Sequence, residues 1–116
     1  MTITMYGIPN CDTIKKARAF LAERAIDYQF HDYKKLGVPA DELALWVERM
    51  GWERLLNRQG NTWRKLDPDA QAAVHDAPSA CAVMVAQPSV IRRPVLVAGK
   101  ELLVGFDKAV WARSFG

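Results

Sequence analysis

Between Ile3 and His31 the chain packs an apolar run, an amphipathic helical pattern and a second apolar run, with short links between them. Thr2 to Tyr6 reads as a strand with Ile3 and Met5 on one face. Thr13 to Arg24 reads as a helix, because Ile14, Ala17, Phe20 and Leu21 fall at i, i+3, i+4 spacing, with Lys15, Lys16, Arg18 and Glu23 outside the stripe. Tyr28-Gln29-Phe30-His31 alternates like a second strand. A helix that returns so quickly to a strand predicts a βαβ unit with parallel strands.

The turn between that first strand and helix, with Gly7, Pro9 and Asn10, delivers Cys11 to the helix start. Unpaired N–H groups and partial positive charge at a helix N-terminus favour a thiolate over a thiol. Lys15, four residues on, adds a positive charge on the expected helix face. Asp12 pulls the other way, with a smaller effect because adjacent helix positions diverge by about 100°. A small buried cysteine is the competing reading. The Pro-Asn turn before Cys11 and the Asp-Thr after it favour a reactive thiol.

From Tyr33 the pattern changes. Asp41 to Met50 is amphipathic through Leu43, Trp46, Val47 and Met50, and Trp52, Leu55 and Leu56 add a further turn or two after Gly51. Asn57 to Asn61 reads as a loop. Asp67-Pro68 and Asp76 with Pro78 signal two N-capped helices, the first to about His75, the second through Cys81, Val83, Met84 and Val85. Residues from about 38 to 87 are thus an all-helical block. Val95 to Val97 and Leu102 to Val104 then flank Ala98-Gly99-Lys100 as a hairpin, and Asp107 caps a closing helix with Val110, Trp111 and Phe115. The order is β-α-β, helical block, β-β-α. Trp46, Trp52, Trp63 and Trp111 suit packing better than a binding box.

A chain of 116 residues with a net charge of +3 and no block of like charges reads as one domain, and a nucleic-acid surface is not suggested, although single basic side chains can still hold anions. No leader pattern and no run of membrane-spanning length is present in the sequence. Two cysteines far apart fit a reducing cytoplasm rather than a disulfide scaffold. The lack of long apolar surface stripes favours a monomer. His31 and His75 have no spacing that suggests a metal, and no glycine-rich loop suggests a nucleotide, so no bound cofactor is expected. Cys81, in an apolar helical run, suits inert packing better than a resolving thiol.

Four stretches together resemble the arsenate reductase/Spx family: Tyr6 to Ala17, Asp32-Tyr33-Lys34-Lys35, Leu56 to Gly60, and Gln87 to Val95. The chain is most similar to the small proteobacterial branch described as glutathione-dependent thiol reductases. The resemblance implies a thioredoxin-like α/β fold with a four-stranded mixed sheet, a single domain over 1–116 carrying the helical insertion. It implies Cys11 as nucleophile, Arg93 facing an oxyanion site, Pro94 as a cis proline beside the active sulfur, and Arg58 as a further anion-site arginine. For Arg58 a solvated loop residue is the equal alternative. Asn10 and Thr13 flank the sulfur as hydrogen-bond donors or as turn and cap residues.

Two departures narrow the implied chemistry. The glutathione-coupled arsenate reductases carry another arginine after the last hairpin, where this chain has Val104-Gly105-Phe106, which argues against arsenate. Many Spx regulators carry Cys-x-x-Cys, and here Ile14 takes the second place. A single-cysteine enzyme needs an external resolving thiol, and glutathione is the abundant cytosolic one. The Cys-x5-Arg cradle of cysteine phosphatases fails because that register holds Ala17. The alternative to a thiol oxidoreductase is an Spx-like protein that docks on the RNA polymerase α subunit, since one fold serves both.

Overall fold

Alternation along β1 (Ile3–Gly7) buries Ile3, Met5 and Gly7 and leaves Thr4 and Tyr6 half-buried. The computed structural model describes residues 2–115. It resolves them into two compact units, one formed by the chain up to Leu36 and from Arg93 onward, the other by Gly37–Arg92.

In the first unit, α1 (Asp12–Glu23) leads to β2 (Gln29–Asp32), which lies parallel to β1 with Tyr6 opposite His31 and Gly7 opposite Asp32. The short α2 (Tyr33–Leu36) follows directly. On the other side of β1 runs β3 (Val95–Ala98), antiparallel, and β4 (Glu101–Val104) pairs antiparallel with β3. The order β2-β1-β3-β4 makes the four-stranded mixed sheet that the sequence implied. The hairpin turn is tighter than the sequence reading: Ala98 pairs with Glu101, so only Gly99 and Lys100 turn the chain. Gly99 takes a φ of 60°, which glycine adopts without a Cβ clash.

The helical stripe of α1 meets the sheet as expected, with Ile14, Ala17, Phe20 and Leu21 all buried. They join Ile3, Met5, Leu96, Ala98 and Trp111 in one core cluster. Trp111 comes from α8 (Lys108–Phe115), whose first turn is capped by Asp107, its carboxylate accepting from the N–H of Ala109 at 2.9 Å and of Val110 at 3.2 Å. Gly7 has a packing reason to be glycine. A Cβ there would stand 2.5 Å from Cδ1 of the fully buried Ile14, so a larger residue would force that side chain to shift within the core.

The second unit spans Gly37–Arg92, where the sequence placed the block at about 38 to 87. It holds α3 (Ala40–Met50), α4 (Trp52–Leu55), α5 (Asn61–Arg64), α6 (Pro68–Ala72) and α7 (Ala77–Ala86). Leu43, Trp46, Val47, Leu55, Ala80 and Met84 are its buried helical residues. Both proline-led caps form. The Asp67 side chain accepts from Asp69 N–H at 3.1 Å. Asp76 and Ser79 make a reciprocal capping box, with Asp76 accepting from Ser79 N–H at 3.0 Å and Ser79 Oγ accepting from Asp76 N–H at 3.1 Å. The first of these helices stops at Ala72, short of His75. Past Leu55 the backbone is stapled to the exit of the unit: Asn57 N–H donates to Val90 O at 2.7 Å and Arg92 N–H to Leu55 O at 2.8 Å.

Candidate active site

Cys11 is the N-cap of α1, with extended backbone (φ −149°, ψ 131°). Its carbonyl accepts from Lys15 N–H at 3.0 Å, the first bond of the helix, and its own N–H donates to Pro9 O at 3.0 Å. An N-cap residue stands outside the helical spiral, so its side chain projects over the open helix end rather than down a face. The thiol is half-buried. It closes no full cap hydrogen bond. Burial opposes its ionisation, but the N–H groups of Ile14 and Thr13, with the charge and a side-chain hydrogen bond of Arg93, outweigh burial and hold the thiol below its ordinary pKa.

The source of this acidity differs in part from the sequence reading. Lys15 is exposed, and the cation that acts on the sulfur is Arg93. The i, i+4 argument assumed that Cys11 lies on the helix face, which an extended N-cap does not. Thr13 acts through its backbone N–H, and Ile14, read only as core, supplies the other donor. Ile14 is fully buried, so the position that would carry a second cysteine belongs to the core. Asn10 is exposed at the turn.

Arg93 is half-buried, and Arg92 beside it is exposed. The Arg93–Pro94 peptide is cis, the isomer the resemblance implied. Pro94 is buried, and its carbonyl accepts from Gly105 N–H at 2.8 Å, which ties the approach to β3 to the end of β4. Arg93→Met removes both the cation and its donors from the sulfur, so the thiolate forms only at higher pH. Alkylation of Cys11 followed against pH is expected to show its midpoint displaced upward. Its rate at neutral pH should fall on the order of tenfold, the scale of a lost hydrogen bond to a charged group. An unmoved midpoint would assign the acidity to the helix end alone.

A further residue feels the Arg93 charge, one without a sequence-based role beyond its place in the Asp32-Tyr33-Lys34-Lys35 stretch. Tyr33, the first residue of α2, is 2% exposed, and its hydroxyl has no hydrogen-bond partner among the described residues. An unsatisfied buried hydroxyl costs about 1–3 kcal/mol. Its ring packs against Tyr6, stacked at 6.5 Å between centroids, and His31, edge-on at 5.9 Å, two rings that also touch each other at 5.0 Å. Burial and the nearby Tyr6 hydroxyl drive its pKa far up, against the opposing charge of Arg93, so the phenol stays protonated. Arg93 therefore stands within electrostatic reach of both Cys11 and Tyr33. Sequence periodicity carries no signal for this, since one aromatic after a strand looks like ordinary packing.

Arg58, in the second unit, is exposed with its guanidinium 5.6 Å from the Trp52 ring. Cys81 lies on α7, half-buried, its pKa pushed up by burial. Phe106, near the place of the arsenate reductases' further arginine, packs edge-on against Trp111 at 4.9 Å and Phe20 at 5.7 Å. A cleft of about 240 Å³ lies between Lys16, Phe20 and Glu23 on α1 and Phe106 and Lys108 after β4, without Cys11 in its lining. Among the described residues no group of three His, Cys, Asp or Glu could hold a metal ion. No helix among them is long and apolar enough to cross a membrane.

Comparison with known proteins agrees with this fold and motif set. The sequence model of the ArsC family matches residues 6–114. The solved structure of a protein named YFFB superposes with a TM-score of 0.94 at 45% identity, over 99% of this chain and 100% of the other. An arsenate reductase (ArsC) related protein from Brucella melitensis is 50% identical, with a TM-score of 0.76 over 99% of this chain and 95% of that one. The global transcriptional regulator Spx of Streptococcus pyogenes is 28% identical over 109 residues, 91% of this chain and 79% of the regulator.

Proposed function

Because the chain belongs to the ArsC family, with the thioredoxin-like fold of its structural relatives, we propose that it is a cytosolic, glutathione-coupled thiol–disulfide reductase with Cys11 as nucleophile. The observation that carries this reading is the half-buried sulfur at the open end of α1, acidified by the N–H groups of Ile14 and Thr13 and by Arg93.

In the first step the Cys11 thiolate attacks one sulfur of a disulfide. The Cys11–substrate S–S bond forms, the substrate's S–S bond breaks, and the other half leaves as a thiolate that takes a proton from solvent. A glutathione thiolate then attacks the substrate sulfur of the adduct, displacing Cys11 as thiolate and forming a glutathione–substrate disulfide. A second glutathione resolves that product to free thiol and glutathione disulfide. The substrate gains two electrons and two glutathiones lose them. Arg93, a planar fork of donors, stabilises the Cys11 thiolate as leaving group and binds a carboxylate of the partner. The core position of Ile14 is the reason for an external resolving thiol, and the apolar packing of Phe106 favours disulfides over arsenate.

Incubating the reduced protein with glutathione disulfide and mapping the adduct by mass tests the reading. The expected product is a mixed disulfide on Cys11 that glutathione reverses. Attachment mainly at Cys81, or none, would sink it.

The similarity to Spx favours a second reading, a regulator that docks on the RNA polymerase α subunit without turnover. Co-purification with that subunit's C-terminal domain, together with no glutathione-dependent turnover of a small disulfide, would select it.

A further inference from the structure

The Tyr33 hydroxyl is the one buried side-chain polar atom among the described residues left without a partner. It belongs to the same unit as Cys11 and Arg93. A phenol both donates and accepts, and a buried one is ordinarily matched. Its ring cannot readily turn away to find a partner, being packed against Tyr6 and His31. Arg93, whose charge reaches it, also hydrogen-bonds the Cys11 sulfur. The guanidinium has only donors to offer, so it cannot accept the phenol's proton. The group that would match both donors is an anionic acceptor with more than one lone pair, and a carboxylate is such a group.

We infer that the Tyr33 hydroxyl is a second donor of the Cys11 site, forming with Arg93 a subsite for a carboxylate on the thiol or disulfide that reacts at Cys11. This rests on the reading of Cys11 as an accessible nucleophile. The hydroxyl is buried in this structure, so a carboxylate pairs with it only as the surrounding side chains move aside. The pair selects carboxylate-bearing partners over neutral ones of the same size. Because its pKa is driven upward, the phenol keeps its proton, and so its donor, throughout the neutral range.

Iodoacetate and iodoacetamide differ by the carboxylate alone, and each alkylates a thiolate with loss of iodide. Their rates at Cys11 are to be measured in a Cys81→Ser background, with and without Tyr33→Phe. The ratio of the iodoacetate rate to the iodoacetamide rate is expected to fall about three- to tenfold on loss of the hydroxyl, the net scale of one hydrogen bond. The melting temperature should hold or rise, since no partner inside the protein is lost. An unchanged ratio overturns the proposal, and so does a melting temperature lowered by several degrees, which would reveal an internal partner. If Tyr33→Phe does not fold, the unsubstituted hydroxyl still reports. The ζ-carbon resonance of Tyr33 should shift in the Cys11 mixed disulfide with 3-mercaptopropionate and not in that with 2-mercaptoethanol, and equal spectra refute the subsite. A Cys11 inert to both alkylating reagents overturns the nucleophile reading and the subsite with it, whereas two ordinary rates without charge discrimination overturn the subsite alone.

Discussion

Replacing Cys11 by serine is expected to lower glutathione-dependent turnover of a small disulfide by about a thousandfold or more, equivalent to at least about 4 kcal/mol of barrier. A serine hydroxyl keeps the size of the side chain and the N-cap position, and serine is among the preferred N-caps. Stability should therefore hold while chemistry is lost, because no group near this helix end can ionise an alkyl hydroxyl at neutral pH. Cys81→Ser is the matched control. Burial raises that thiol's pKa, no cation acts on it, and its removal should leave turnover within about twofold. A coupled assay that follows glutathione disulfide formation reads both variants. Residual turnover in Cys11→Ser within tenfold of the parent would move the nucleophile elsewhere. The same loss in both variants would mean that the two sulfurs act together.

Local chemistry made some of this molecule legible in its sequence. The β1–α1–β2 unit follows from two periodicities and short links, and its helical stripe is the stripe that is buried. Asp67 and Asp76 announced their helices because a carboxylate before a proline-led turn has few other uses, and both accept the expected backbone bonds. Asn61–Arg64 escaped because glycine and asparagine composition reads as loop, and Gly60 caps it with backbone alone. Ala98 reads as turn because alanine has little strand preference, yet its register opposite Glu101 makes it part of β3.

The site divides along the same line. Cys11 was readable from position, because helix ends acidify thiols by geometry that the local sequence encodes. Arg93 came from resemblance alone, since nothing in the spacing of residues 11 and 93 brings them together before the sheet forms. The i, i+4 rule that sets Lys15 beside the sulfur holds inside a helix, whereas Cys11 stands at its cap. Tyr33 was invisible because its significance is an unmatched hydroxyl, a property of the folded environment rather than of any pattern.

Trp111→Ala is expected to be the most damaging core substitution, at about 3–5 kcal/mol. The indole is 1% exposed, meets Phe20 edge-on at 5.8 Å and donates Nε1–H to Gly105 O at 3.2 Å. Truncation removes the aromatic contacts, opens a cavity and strips the Gly105 carbonyl of its donor, three losses that fall on one place. For a domain of this size the melting temperature should drop by roughly 10 °C or more. Trp111→Phe keeps an aromatic edge and loses the Nε1–H donor, so it should cost less than half as much. The consequence reaches the sulfur through Phe20, which lies on α1 and so on the helix whose N-terminus holds Cys11. If the helix end is set by that packing, Trp111→Ala also moves the alkylation midpoint of Cys11 upward, measured below the melting transition. A midpoint unchanged despite the lost stability would show that Gly7 against Ile14 is sufficient to hold the first turn in place.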